Sequence, residues 1–211
     1  AHFTDSGQRL DGTPGTDWDV TYAVALGDLD GDGDVDAVFG NGVPSPNTVW
    51  LNDGAGRFTL YRRYWMEPAD DEHSQSQAVT LGDLDSDGDL DAYVGNCCRN
   101  EWAITGRPGE ITERGYGDAH NMVWLNDGSG RFIDSGQQLG NEATGDVALG
   151  DLDGDGDLDA FEANQRSASE VPVCDASDHV WLNDGTGHFV DSGQRLSPSY
   201  GRAVALGDVH Y

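Results

Sequence analysis

Aspartates recur at alternate positions in three stretches of this 211-residue chain. The first holds Asp28, Asp30, Asp32, Asp34 and Asp36, and the second Asp83, Asp85, Asp87, Asp89 and Asp91. The third holds Asp151, Asp153, Asp155, Asp157 and Asp159, and all three read D-x-D-x-D-G-D-x-D. Carboxylates this close repel one another unless a cation sits among them. A hard divalent ion that takes roughly six to eight oxygen ligands meets that need, which points to Ca²⁺. The glycine at the sixth position (Gly33, Gly88, Gly156) lets the backbone turn sharply, so the flanking carboxylates converge. The ladders predict a calcium-stabilised repeat protein.

The elements that position these carboxylates repeat with them. Val24-Ala-Leu-Gly, Val79-Thr-Leu-Gly and Val147-Ala-Leu-Gly lead into the ladders, and Val204-Ala-Leu-Gly begins a fourth copy. The starts are 55, 68 and 57 residues apart. After each full ladder comes a short apolar run (Ala37 to Asn41, Ala92 to Asn96, Ala160 to Asn164), then a Val-Trp-Leu-Asn run ending at Asn52, Asn126 or Asn183. An Asp-Gly-x-Gly turn and an aromatic (Phe58, Phe132, Phe189) close each unit. Short segments rich in Val, Phe, Tyr and Trp between Asn/Asp/Gly turns read as antiparallel strands joined by hairpins. A glycine count of 30 argues against long helices. Four strands per unit at this period predict an all-β fold of β-propeller-type blades. Trp50, Trp124 and Trp181 hold one position in the unit and read as packing anchors.

The two ends carry partial units. His2-Phe-Thr-Asp-Ser-Gly-Gln-Arg-Leu10 nearly repeats His188-Phe-Val-Asp-Ser-Gly-Gln-Arg-Leu196, an outer strand, while Val204 to Val209 is an inner strand. One domain over 1–211 is expected: an outer strand and loop (1–23), blades at 24–78, 79–146 and 147–202, and an inner strand (203–211). Three complete blades plus the terminal strands of a fourth are fewer than the roughly four to eight that close a propeller. The chain is then a slice of a longer propeller, or pairs its terminal strands across subunits, or closes on a reduced fourth blade.

The composition sets further bounds. There are 39 acidic and 11 basic residues, all the basic ones arginine, for a formal charge of −28. Such a surface repels nucleic acid and anionic membranes. It suits a high-salt setting or reflects the bias of the source genome. With no apolar run of about 18 residues, no membrane insertion is expected. Sites this numerous suit a millimolar-calcium compartment, so an extracellular location, secreted or at the cell surface, is expected. Cys97, Cys98 and Cys174 leave one thiol over; a vicinal Cys97–Cys98 bond and a bridge from either to Cys174 are both open.

The run Leu-Gly-Asp-Leu-Asp-x-Asp-Gly-Asp-x-Asp-Ala, followed by Val-Trp-Leu-Asn-Asp-Gly-x-Gly-x-Phe, resembles the FG-GAP/VCBS repeats of integrin-α-type β-propellers. The resemblance implies a calcium site per ladder, with side-chain ligands at positions one, three, five and nine and a backbone carbonyl at seven. That gives Asp28, Asp30, Asp32 and Asp36 with the carbonyl of Asp34. The second set is Asp83, Asp85, Asp87 and Asp91 with Asp89, and the third Asp151, Asp153, Asp155 and Asp159 with Asp157. It also implies a secreted or cell-surface role, in adhesion receptors, lectins or propellers attached to polysaccharide-cleaving enzymes. Asp151 to Glu162 also satisfies an EF-hand pattern, but Phe39 and Val94 stand at the equivalent of Glu162 and the flanks are strand-like, so Glu162 reads as a strand residue beside a loop.

Loops on the face opposite the calcium hairpins gather Arg62, Arg63, Trp65, Trp102, Arg107, Arg114 and Tyr116 on an otherwise acidic chain. Arginine beside aromatics suits recognition of a glycan or a protein partner; pairing with Glu67, Asp70 and Asp71 is the structural alternative. No nucleophile elbow, zinc helix or phosphate loop occurs. His73, His120 and His179 share no arrangement and read as surface residues. A non-enzymatic module for adhesion, carbohydrate or protein binding, or surface assembly is therefore expected. The alternatives are the propeller portion of a secreted polysaccharide lyase or hydrolase, and a subunit of an extracellular polymer joined by terminal strand exchange.

Overall fold

A computed structural model describes residues 4–10, 20–42, 45–62, 75–97, 100–104, 111–116, 120–165, 177–196 and 201–207. Among these the only regular elements are strands. The first sheet takes β1 (Val20–Gly27), β2 (Asp36–Gly42), β3 (Thr48–Asn52) and β4 (Phe58–Arg62), antiparallel in chain order. The second contains β5 (Gln75–Gly82) and β6 (Asp91–Cys97), and a separate hairpin of β7 (Asn100–Ile104) and β8 (Ile111–Tyr116) follows. β9 (Met122–Asn126) and β10 (Phe132–Asp134) complete that second sheet. The third takes β11 (Ala143–Gly150), β12 (Asp159–Gln165), β13 (Asp178–Asn183) and β14 (Phe189–Leu196).

This is the expected all-β arrangement of three four-stranded antiparallel blades. The first strand of each starts earlier than its Val-Ala/Thr-Leu-Gly run, at Val20, Gln75 and Ala143. The segment read as a loop after Cys97 contains the β7–β8 hairpin, whose residues pair with each other and, among the described residues, with no blade. Residues 4–10 and 201–207 form no strand: neither joins a β-ladder among the described residues, although Gly201 N–H donates to the Asn164 carbonyl of β12 at 3.2 Å.

The core lies between the sheets. Leu29, Val38 and Val49 of the first pack with Ala92, Val94, Trp124 and Phe132 of the second. Leu84, Tyr93 and Val123 of the second pack with Val147, Ala160, Trp181 and Phe189 of the third. Tyr93 meets Phe189 edge to face at 5.3 Å between ring centroids, a favourable aromatic geometry. The recurring tryptophans are buried, as the repeat implied. The glycine of each leading run is fixed by the next sheet: a Cβ on Gly82 would meet Leu158 Cδ1 at 2.8 Å and Leu149 Cδ1 at 2.9 Å. Leu206 approaches Gly150 in the same way, so residues 201–207 lie on the third sheet as the inner strands β5 and β11 lie on the sheets before them.

Gln8 shows a matching arrangement at the other end. Its amide donates to the Gly56 carbonyl at 2.6 Å and its carbonyl accepts from Phe58 N–H at 3.0 Å. Gln137 does the same to Gly187 and Phe189 at 2.7 and 2.8 Å. Residues 4–10 therefore hold the first sheet's outer turn as the second sheet's outer segment holds the third's.

Candidate metal centres

Each ladder forms the loop between the first two strands of a sheet: 28–35 between β1 and β2, 83–90 between β5 and β6, and 151–158 between β11 and β12. Positions four and six of every loop turn through positive φ: Gly31 (73°) and Gly33 (90°), Ser86 (64°) and Gly88 (97°), Gly154 (88°) and Gly156 (104°). The sixth-position glycine was legible in the sequence; the equal demand at position four was not, because serine fills it in the second loop. Within the first loop Asp28 accepts from Gly31 and Gly33 N–H at 2.9 and 3.0 Å, and Asp32 from Asp34 N–H at 2.9 Å. These bonds curl the backbone around the carboxylates.

The ninth aspartate of each ladder has a second role. Asp36, Asp91 and Asp159 are fully buried. In the second sheet Asp91 accepts from Leu84 N–H at 2.8 Å and from Asn126 N–H at 2.8 Å. Asp36 takes Leu29 and Asn52, and Asp159 takes Leu152 and Asn183, in the same pattern. One carboxylate thus joins the loop to the third strand of its own sheet. Burial pushes the Asp91 carboxyl up to about 6, against the opposing pull of those two N–H donors. Burial first, and neighbouring aspartates second, also raise Asp30 and Asp85.

The structure brings carboxylate oxygens of Asp28, Asp30 and Asp32 within 4.8 Å of one another; Asp83, Asp85 and Asp91, and Asp151, Asp153 and Asp159, form the other two trios. Oxygens bound to one calcium at about 2.3–2.6 Å stand at most roughly 5 Å apart, so each trio can hold one ion. In the second loop Asp83 Oδ1 and Asp85 Oδ1 are buried with no hydrogen-bond partner among the described residues. A buried carboxylate oxygen without a partner is costly, and a cation would relieve it. Asp36, Asp87 and Asp155 stand outside the trios. The position-seven side chains, Asp34, Asp89 and Asp157, lie against Gly54, Gly128 and Gly185 of the outer turns.

The other sequence-derived candidates scatter. Arg62 ends β4, opposite Val49. On the β7–β8 hairpin, Trp102 pairs with Arg114 and Asn100 with Tyr116. Arg63, Trp65, Arg107, Cys98 and Cys174 lie outside the described residues, and Cys97 ends β6. His179 corrects the surface reading: it is 3% exposed, because β13 carries it opposite Glu162 on β12. Its Nδ1 stands 3.7 Å from Glu142 Oε2 and 3.9 Å from Glu162 Oε2. Glu162, fully buried, accepts from the Tyr93 hydroxyl at 2.6 Å and from the Asn121 amide. Burial pushes its carboxyl up to about 7, with those two donors opposing.

Comparison with known proteins comes to the same repeat. The FG-GAP-like repeat model matches residues 28–94 and 111–161. No curated protein matches the chain. Among solved structures, the chain is similar to an Agrocybe aegerita lectin studied for specific recognition of non-reducing terminal N-acetylglucosamine, at 18% identity and a TM-score of 0.44. That alignment covers 85% of this chain and 39% of the other, so this chain spans about two fifths of that protein's length.

Proposed function

The chain belongs to the FG-GAP-like repeat family, and on that premise we propose that it is a non-catalytic, calcium-binding module that works outside the cell in adhesion or ligand binding. One observation carries the metal reading: three equivalent loops each converge carboxylates within 4.8 Å, and in one of them two buried oxygens lack a hydrogen-bond partner among the described residues. Asp28, Asp30 and Asp32 would hold the first ion, Asp83, Asp85 and Asp91 the second, and Asp151, Asp153 and Asp159 the third. When bound, calcium supplies the positive charge that lets these carboxylates stay ionised together.

The chain's own groups do the rest. Loop N–H groups orient the first and fifth carboxylates, and the buried ninth aspartate passes the loop's position on to β3, β9 or β13 through an asparagine N–H. The resulting scaffold presents the opposite loop face, with Arg62 and the Trp102–Arg114 hairpin, to a glycan or protein ligand. Calorimetric titration of metal-stripped protein tests the metal reading. About three calcium ions per chain are expected, with magnesium far weaker because it demands tighter octahedral geometry. Incubation with a panel of acidic and neutral polysaccharides should release no new reducing ends; release would move the protein to the enzyme class.

A further inference from the structure

The first strand of every sheet carries a bulge at one place. Register shifts fall between Thr21 and Ala23, Ser76 and Ala78, and Thr144 and Asp146. The extra residue in each case, Tyr22, Gln77 or Gly145, leaves the ladder and lines a single pocket of about 530 Å³. Arg202, at the corresponding place two residues before Val204, lines it too. Bulges re-aim the chain locally, and here three bulges and Arg202 border one cavity. The pocket sits at the strand ends away from the aspartate loops, since Tyr22 lies near the start of β1 and the first loop follows its end.

The repeat has been varied at this position to give distinct chemistry. Gly145 has no side chain, and Gln165 lies over it: a Cβ there would meet Gln165 Nε2 at 2.9 Å. The pocket therefore presents a phenol, two carboxamides and a guanidinium beside the Asp146 carboxylate. Among the described residues, the side chains of Tyr22, Gln77, Gln165 and Arg202 make no hydrogen bond or ion pair. Arg9, Arg131 and Arg195 each pair with an aspartate four residues earlier. Position 198, four before Arg202, is proline, so Arg202 has no aspartate at that spacing; Asp146 shares its pocket. Both Asp146 oxygens are taken by backbone donors, Val147 N–H at 3.0 Å and Val204 N–H at 2.9 Å.

We propose that this pocket binds a small hydroxylated carboxylate of the sugar-acid class. The Arg202 guanidinium presents parallel N–H donors that match a carboxylate. The Gln77 and Gln165 carboxamides both donate and accept, which suits neighbouring hydroxyls, and Tyr22 offers a ring face and a hydroxyl. The volume falls within the range of small-ligand sites, about 300–1,000 Å³. The chain's charge of −28 opposes any anion at long range. Recognition therefore rests on these local donors, at salt high enough to screen the field beyond about 8 Å.

The test is calorimetry or ligand-observed NMR on the calcium-loaded chain at about 0.15 M salt, with glucuronate, glucose and N-acetylaspartate as probes. Glucuronate should bind, with glucose at least ~10-fold weaker and Arg202→Gln costing glucuronate a similar factor. Absent glucuronate binding, equal binding of glucose, unchanged binding by Arg202→Gln, or tighter binding of N-acetylaspartate would each overturn the assignment. Gln77→Ala lies away from the 201–207 segment and gives an independent reading of the same loss if Arg202→Gln does not fold. A calcium titration of the same samples separates failure of this pocket from failure of the metal sites.

Discussion

Asn126 donates its side-chain amide to the backbone carbonyl of Leu29, 97 positions away in the chain, at 2.9 Å. Asn183 repeats the bond to Leu84 at 2.8 Å. The asparagine that ends the third strand of one sheet thus reaches the aspartate loop of the sheet before it. Its backbone N–H meanwhile binds the ninth aspartate of its own loop. Neighbouring aspartate loops are thereby linked through two residues of each repeat.

Asn126→Ala and Asn183→Ala leave buried carbonyls of Leu29 and Leu84 without these donors. Each should lower stability by about 1–3 kcal/mol, measured by urea unfolding in calcium. Asn52→Ala should cost less, because its amide donates at 3.1 Å to Val35 within its own sheet and is exposed.

Ser86 takes a φ of 64°, where the first and third loops have glycine. A left-handed conformation costs a residue with a Cβ roughly 1–2 kcal/mol. Ser86→Gly should therefore raise thermal stability, offset in part by the greater freedom of glycine in the unfolded chain. A lower melting temperature would show that the serine hydroxyl contributes something the glycine loops lack.

Glu162 makes folding pH-dependent. Its carboxyl rises to about 7 in the fold from an ordinary value of 4.5, so the folded state holds the proton more tightly. The stabilisation is complete below about 4.5 and is lost as pH rises through about 7, a change of up to ~3 kcal/mol. Glu162→Gln keeps an oxygen for Tyr93 and Asn121 and should flatten that slope, leaving the variant the more stable protein at pH 8. Denaturant midpoints between pH 5 and 8 read the difference directly; parallel slopes for both proteins would contradict it.

Much of the fold is legible in the amino-acid sequence through local pattern alone. The ladders, the turn residues and the alternating Val, Trp and Phe are short-range signals, and they mark β1–β6 and β9–β14 in order. What stays hidden depends on residues far apart in sequence. Glu162 and His179 look like a strand residue and a surface histidine because nothing near them announces a partner. They are buried because β12 and β13 pair, with Tyr93 and Asn121 then meeting Glu162, and Glu142 and Trp181 lying beside His179. The β7–β8 hairpin hides in a segment of mixed charge with no alternating apolar pattern. The Asn126 and Asn183 amide bonds and the Gln137 clamp join one sheet to the next, and Gln8 ties the 4–10 segment to the first sheet, so only their recurrence at matched places hints at a role.

Thermal unfolding of the same preparation in millimolar calcium and in excess chelator tests the central claim most directly. Each site held at about 100 times its dissociation constant adds ~2.7 kcal/mol. Three such sites should raise the melting temperature by roughly 15 °C or more over the stripped protein, and added calcium should restore it. Identical melting curves with and without metal would mean that the carboxylates of the three loops hold no ion, and would contradict the account.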